Sequence, residues 1–457
     1  MRLVSITTTR LFLSVLLELF LFTSQAQQNS PFTRFGPGEF YTNPHIISRA
    51  MGGLSAAYAD GYNNNVGQSI NFNNPATYSN LYLVTYDLAL TFDTRSLNRN
   101  DPAEKYYTYN FLPTYLSIGM PLKKAKGLGL AFGLKPLSSI NYSVYGTQKI
   151  SGDSLLTLYN GHGGINQVFV GLGKKWKTLC IGFNTGVNFG NKETNTRKSF
   201  INDTISFQQS NTTYSTSFSG IFLGYGLQYE VSLKKRENLS TRVTENFLLR
   251  LGITGSLQQN LSALQDLKKI TYSPIVSGDL QIDSIEIKRK VPGNIILPAT
   301  YAGGITLHKT IANSRGLFEL WSIGLEYSST PWTNYRFYGQ SDNYVSDSWL
   351  WKLGLQFSPD PISGNSYWGN VNYRAGAFWG KDPINADGLG MKHYGLSFGA
   401  GLPIRKWRSY DNQFTTLNTA FQLGQRGSAV NNISENYLQI SLGFSFTDLW
   451  FVKRKYD

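Results

Sequence analysis

The residues able to carry chemistry are few and scattered. The four histidines, His45, His162, His308 and His393, stand far apart, and no pair has the spacing of metal ligands on one element. Cys180 is the only cysteine, which excludes an intramolecular disulfide and a cysteine-based metal cluster; between Leu179 and Ile181 it reads as an inert strand residue. His393 and Ser397 share a face of one strand, but four residues at ~3.3 Å rise set them ~13 Å apart, beyond the reach of a nucleophile and its base. A triad gathered across strands stays open; no enzyme, metal or cofactor is the expectation. More telling are Asp87, Arg250, Glu326, Lys352 and Arg374, charges set among apolar neighbours. On inward strand faces they read as salt-bridge bracing, or, for an Arg or Lys, as the holder of an anionic headgroup such as a carboxylate.

The elements that position them alternate. Leu438, Ile440, Leu442, Phe444 and Phe446 occupy one face of a strand whose other face holds Gln439, Ser441, Gly443 and Ser445. Such strict alternation over about ten residues marks a tilted transmembrane strand. The pattern recurs near 81–92, 111–121, 127–136, 164–173, 178–190, 212–232, 246–257, 299–308, 318–328, 348–358, 368–379, 391–402, 413–424 and 437–447. Connections after odd strands are long (roughly 11 to 41 residues) and those after even strands short (roughly 4 to 13), the asymmetry of outer loops and periplasmic turns. Trp176, Trp321, Trp368, Trp407 and Trp450 fall at the inferred periplasmic rim, and Trp332, Trp349, Trp351 and Trp379 at the outer rim, as aromatic girdles should. A soluble sandwich explains the alternation but not the sorted loops and tryptophans together. The expected fold is all-β: a 14-stranded antiparallel transmembrane β-barrel with an N-terminal hatch, or plug, in the lumen.

Composition agrees. In 457 residues there are 45 Gly, 28 Tyr and 28 Phe with only 15% charged residues, which suits a large sheet surface. Arg2 and Arg10 precede an apolar stretch at 11–22 and a small-x-small site at Ser24-Gln25-Ala26, so 1–26 reads as an export signal. The remaining division is a hatch at 27–80, a barrel at 81–447 and a basic periplasmic tail at 448–457. An even strand count puts both termini in the periplasm, in a bacterial outer membrane.

The net charge of +14 gathers at the inferred periplasmic rim. It holds Lys123, Lys124, Lys174, Lys175, Lys234, Lys235, Arg236, Arg405, Lys406, Arg408, Lys453, Arg454 and Lys455. Anionic lipid headgroups explain this at about 1 kcal/mol per basic residue; an acidic periplasmic partner is the sharper reading. Nucleic acid is not expected, since no compact basic domain exists.

Residues 27–80 do not alternate. They contain Arg49, Met51, Gly52 and Gly53 in an R-x-M-G-G run, and the triplet Asn74-Pro75-Ala76 just ahead of the first strand. A fourteen-stranded barrel needs filling, and glycines on lumen faces leave room for a plug's backbone. With the strand count, these motifs resemble the FadL-type long-chain fatty-acid transporter family of outer-membrane proteins. The resemblance implies a hatch, with the Asn-Pro-Ala triplet against an inward kink of the third strand, and passive uptake of small hydrophobic molecules. Later motifs are Gly161-His162-Gly163-Gly164-Ile165, Leu297-Pro298, Gly424-Gln425-Arg426-Gly427 and Trp450-Phe451-Val452-Lys453-Arg454-Lys455-Tyr456. They resemble the branch that includes the type IX secretion shuttle barrel. That branch implies a rival function: a non-transporting accessory or scaffold subunit of an outer-membrane secretion or barrel-assembly complex. The partners implied are outer-membrane lipid, a hydrophobic small molecule, and periplasmic or outer-membrane proteins.

Overall fold

The computed structural model describes residues 30–41, 45–60, 68–100, 103–123, 126–150, 153–201, 208–238, 243–275, 278–313, 316–361, 366–385, 388, 390–404, 414–427 and 431–448. In chain order its strands are β1 (Glu39–Phe40), β2 (Val84–Arg99), β3 (Glu104–Lys123), β4 (Leu128–Ile150), β5 (Asp153–Trp176) and β6 (Leu179–Ile201). There follow β7 (Gln209–Asn238), β8 (Val243–Ser256), β9 (Gln259–Ile275), β10 (Gly278–Leu297), β11 (Thr300–Asn313) and β12 (Gly316–Thr330). The last are β13 (Arg336–Phe337), β14 (Ser348–Phe357), β15 (Asn372–Lys381), β16 (Lys392–Ile404), β17 (Phe414–Arg426) and β18 (Ile433–Asp448).

Fourteen of these close on themselves, because β18 pairs with β2 from Ile433↔Arg99 to Asp448↔Val84. The ring runs β2 to β8, then β11, β12 and β14 to β18, all neighbours antiparallel. Closure leaves no terminal edge to cap. Each alternating segment read from the sequence falls on one of these strands.

Which face looks out is decided by exposure. On β16, Leu396 and Phe398 are 53% and 51% exposed while Ser397 between them is 0%. The aliphatic and aromatic rows therefore face away from the lumen, and the small, polar and charged rows face in. Trp176, Trp349, Trp351, Trp368 and Trp379 are exposed at strand ends, with Trp351 and Trp379 stacked 6.5 Å apart. Trp332 corrects the girdle expectation: it is buried inside, its ring 4.7 Å edge-on to Phe40. Trp407 and Trp450 lie outside the described residues.

Three departures from a regular cylinder matter. The wall from β4 to β7 is taller than the alternation suggested, with β5 starting at Asp153 and β7 at Gln209. The long connection near 258–298 is no irregular loop. It is the hairpin β9–β10, whose first strand continues the wall by pairing with β7 from Gln209↔Tyr272 to Ser219↔Ser262. Finally, the β3–β4 ladder stops early, at Leu116↔Leu134, while β4 stays paired with β5 up to Ile150↔Asp153. Pro113 and Pro136 stand where the two strands part, and neither has an N–H to leave unpaired. Trp368 precedes its strand, in a short turn over Trp368–Asn370.

The closing register is checkable with Leu90 and Leu442, Cα partners on β2 and β18. In a Cys180→Ser background, oxidation of the Leu90→Cys/Leu442→Cys pair is expected to give an intramolecular crosslink visible as a gel shift. The mismatched pair Leu90→Cys/Phe446→Cys is expected to give none.

Candidate functional site

The interior is built around the chain's N-terminal segment. A short helix, Ile46–Ala50, starts at His45, whose Nδ1 accepts from Ser48 N at 3.4 Å. It ends on Gly52 and Gly53, with φ of 65° and 96°, and Gly53 N returns to Ser48 O at 2.7 Å. Left-handed glycines at a helix end satisfy its last carbonyls. Space makes the same demand at Gly52, since a Cβ there would lie 2.6 Å from the carbonyl oxygens of Leu353 and Ala377. Arg49 is buried and donates to Thr91 Oγ1 at 2.8 Å and Ser441 Oγ at 2.7 Å, hydroxyls on β2 and β18. The Arg-x-Met-Gly-Gly run is thus a helix end laid against the wall.

Asn74 opens the next turn, Pro75–Asn80. Its Oδ1 accepts from Ala76 N at 3.0 Å, and its Nδ2 donates to Ala56 O at 2.6 Å, tying the two limbs of the segment together. Pro75 fits the first position of that turn, where no N–H is needed. The triplet does not meet the third strand's kink: Pro75 and Ala76 lie against Gly182 of β6, and Asn74 against Gly226 of β7. The irregularity in β4, between Pro136 and Ser138, is met by residues 39–41. The reason is reach, since the turn lies lower, where Tyr78 meets Gly129 and Ala131 of β4.

Contact with the wall is main chain on main chain. Cβ atoms at Gly129, Gly173, Gly182, Gly226, Gly252 and Gly376 would overlap backbone atoms of Tyr78, Pro75, Asn74's neighbours, Ala56 and Gly52. The inward charges complete it. Glu326 Oε2 accepts from Ser55 N and Ala56 N, both at 2.7 Å, while Oε1 pairs with Lys352 Nζ at 2.8 Å. Arg250 pairs with Glu230 at 2.5 Å and reaches Ala57 O at 3.5 Å. Asp87 accepts from Ile70 N at 3.1 Å and Ser445 Oγ at 3.2 Å, with His45 Nε2 at 3.6 Å. Arg374 donates to Gln356 Oε1 at 2.7 Å and Asn418 Oδ1 at 3.0 Å. All five face the lumen, and of them the structure brings Glu326 and Lys352 into direct contact.

Sequence reasoning missed a second tier, residues 30–41, which lies beyond the helix. Glu39 pairs with Arg95 at 2.6 Å and Arg426 at 3.2 Å. Arg95 also holds Asp93 (2.6 Å) and Glu435 (3.3 Å), and Arg426 holds Asp382 (2.8 Å) and Glu435 (3.3 Å). The signal available was an Arg or Glu at an inward position of β2, β17 and β18; without register, no pairing followed. Likewise His308 sits buried between Glu319 (3.2 Å) and Glu230 (3.3 Å). Among the described residues, no cluster of three or more His, Cys, Asp or Glu is placed to hold a metal.

Between the tiers lies a cavity of about 320 Å³. Its lining is mixed: the charged side chains Glu39, Arg49, Lys135, Lys352, Asp382 and Arg426 stand among apolar ones such as Phe72, Leu137, Phe222 and Trp332. Lys135 Nζ rests 4.7 Å over the Phe72 ring. Where β3 and β4 part, a recess of about 650 Å³ has an apolar mouth of Leu88, Leu90, Leu112, Leu116 and Leu134. Tyr41 lines both spaces.

At the turn end of the strands, Lys123, Lys174, Lys234, Lys235 and Arg236 are exposed and Lys175 is half-buried. Lys174 donates to Lys126 O, and Lys235 pairs with Glu237, holding that carboxyl below its usual range. Lys124, Arg405, Lys406, Arg408, Lys453, Arg454 and Lys455 lie outside the described residues, as do the export signal at 1–26 and the tail beyond 448.

The molecule is a closed, antiparallel fourteen-stranded barrel, apolar outside, with its own N-terminal segment packed on the inward faces. A family model described as BamG matches residues 7–457, and the chain belongs to that family. No curated protein matches. Among solved structures, the Ralstonia pickettii toluene transporter TbuX is similar at 12% identity and a TM-score of 0.50, over 89% of this chain and 98% of that one. The Pseudomonas putida toluene transporter TodX is similar at 14% identity and a TM-score of 0.50, over 90% and 99%. At these identities the likeness is one of fold.

Glu326→Ala leaves Lys352 buried beside two orphaned amides, a loss of about 3–5 kcal/mol. It is expected to open the segment to trypsin at Arg49 while the barrel keeps its heat-modifiable migration on gels.

Proposed function

We propose that this chain sits in the bacterial outer membrane as an accessory barrel of a protein-assembly or secretion complex, not as a conduit. The observation behind this is the lumen: residues 30–41, and the helix Ile46–Ala50 with the turn Pro75–Asn80, pack on its inward faces at two levels, and six charged side chains are among those lining the space between. A small hydrophobic molecule entering there meets Glu39, Arg49, Lys135, Lys352, Asp382 and Arg426, and each charged group it covers must give up its partners or its water. The outward apolar rows belong in lipid, the even strand count puts both termini on one side, and the basic turn ends face anionic headgroups in the periplasmic leaflet. The hairpin β9–β10 adds a contact surface, since Leu280, Ile282, Ile285 and Ile287 are exposed on it beyond the barrel. No catalytic role or cofactor enters this reading.

Uptake of a hydrophobic molecule is the second reading, favoured by one observation. The apolar recess between β3 and β4 opens sideways toward the outward face, and Tyr41 lines both it and the inner cavity.

Extraction in mild detergent is expected to yield the chain in fixed stoichiometry with outer-membrane proteins, and its deletion to lower the folded amounts of other barrels. Toluene entry into deletion and parent cells is expected to be equal. A solitary chain whose loss slows toluene entry and leaves other barrels intact overturns the accessory reading in favour of uptake. Membrane placement is tested separately by Leu442→Arg, expected to cost about 2–4 kcal/mol of folding into liposomes; an unchanged folding yield contradicts it.

A further inference from the structure

Residues 30–41 are bound to the wall as a peptide is bound to a receptor. Glu39 and Phe40 add to the free edge of β4 as an antiparallel strand, opposite Ser139 and Ser138, and Tyr41 N donates to Leu137 O at 2.8 Å. That edge is available because β3 has left β4 at Leu134. Strand addition supplies sequence-independent affinity, and side-chain pockets supply specificity. Both kinds of pocket are present. The Glu39 carboxylate lies in a clasp of two guanidiniums, Arg95 at 2.6 Å and Arg426 at 3.2 Å. The Phe40 ring sits edge-on against Trp332 at 4.7 Å, in an apolar cluster with Leu137 and Phe337.

The seat also stands without its occupant. Arg95 keeps Asp93 and Glu435, and Arg426 keeps Asp382 and Glu435, so neither guanidinium is left as a bare buried charge when Glu39 leaves. Buried ion pairs are costly to break chiefly because one partner is stranded, and here none is. In the same stretch Gly36 and Gly38 take left-handed φ of 59° and 89°, giving the strand a turn of its own ahead of the clasp. By contrast, the helix and the Asn74 turn are interlocked with glycines all round the wall and have no such independence.

We propose that the β4 edge between Leu137 and Asn141, with the Arg95–Arg426 clasp and the Trp332 pocket, is a binding groove for an extended peptide carrying an acidic residue followed by an aromatic one, and that residues 30–41 fill it as a tethered stand-in. A partner's extended segment of that chemistry displaces the strap. The proposal holds whether the barrel scaffolds or transports.

The test uses the full-length chain in detergent and a fluorescent peptide of residues 30–41. Glu39→Ala/Phe40→Ala empties the clasp and the ring pocket. That variant is expected to bind the peptide saturably, while the parent chain, its groove filled, binds at least about tenfold more weakly. Adding Trp332→Ala to the emptied variant is expected to weaken binding by about 30-fold, as loss of an aromatic anchor does. Folding of each variant is verified by heat-modifiable migration, and Arg426→Lys, which keeps the charge but loses the fork, serves where a larger truncation fails to fold. No saturable binding to the folded, emptied variant overturns the proposal. So does binding equal to the parent's, or binding that neither Trp332→Ala nor Arg426→Lys weakens.

Discussion

The structure depends on bringing two backbones together with no side chain between them. Around most of the wall an inward glycine faces the N-terminal segment, and at Gly182, Gly252 and Gly376 a single methyl group would enter its main chain. Main chain so close must hydrogen-bond or pay full desolvation for each buried amide. The inward carboxylates answer that demand. Glu326 takes the amides of Ser55 and Ala56, and Asp87 takes that of Ile70. Glu326 in turn meets the Lys352 ammonium, and Asp87 has His45 Nε2 beside it at 3.6 Å. Charges that seem out of place in an apolar chain are a consequence of backbone contact.

The two tiers are held differently. The helix and the Asn74 turn are locked by shape, because their glycine-lined seats admit no alternative register. The strap at 30–41 is held by the clasp, the Trp332 pocket and a short ladder, together with Phe32 buried beside Leu97 and Ile384 and Gly36 N donating to Asp342 Oδ2 at 2.8 Å. A cavity persists between them because neither tier can move toward the other: one is fixed by the glycines, the other by the height of Arg95 and Arg426 on the wall.

The parting of β3 and β4 interrupts the ring's pairing, and the chain treats it as an edge. Prolines remove donors on both sides, and the strap covers part of β4 from within. The same region therefore offers an apolar recess to the outside and a strand-pairing edge to the inside. The tall wall of β4 to β7, prolonged by β9 and β10, rises from the same sector of the barrel. Asymmetry of this kind concentrates the contact-making surface on one side of the molecule.

Strand number, strand position and inward or outward face were legible in the residues, because a period of two is local and each apolar row reports its own environment. The lumen charges Asp87, Arg250, Glu326, Lys352 and Arg374 were legible for the same reason. Their partners were not: Glu326 meets Ser55 from 271 positions away, and nothing short of register brings them together. Trp332 read as a girdle residue because a tryptophan near a strand end has two possible sides, and only the strap's Phe40 decides for the inner one. The Asn74-Pro75-Ala76 triplet stood out as a motif whose resemblance implied the third strand, yet its seat on β6 and β7 is set by where the glycines fall around a closed ring. Local chemistry determined what each segment is; the geometry of closure alone determined what each one touches, since side chains from opposite walls share no sequence neighbourhood.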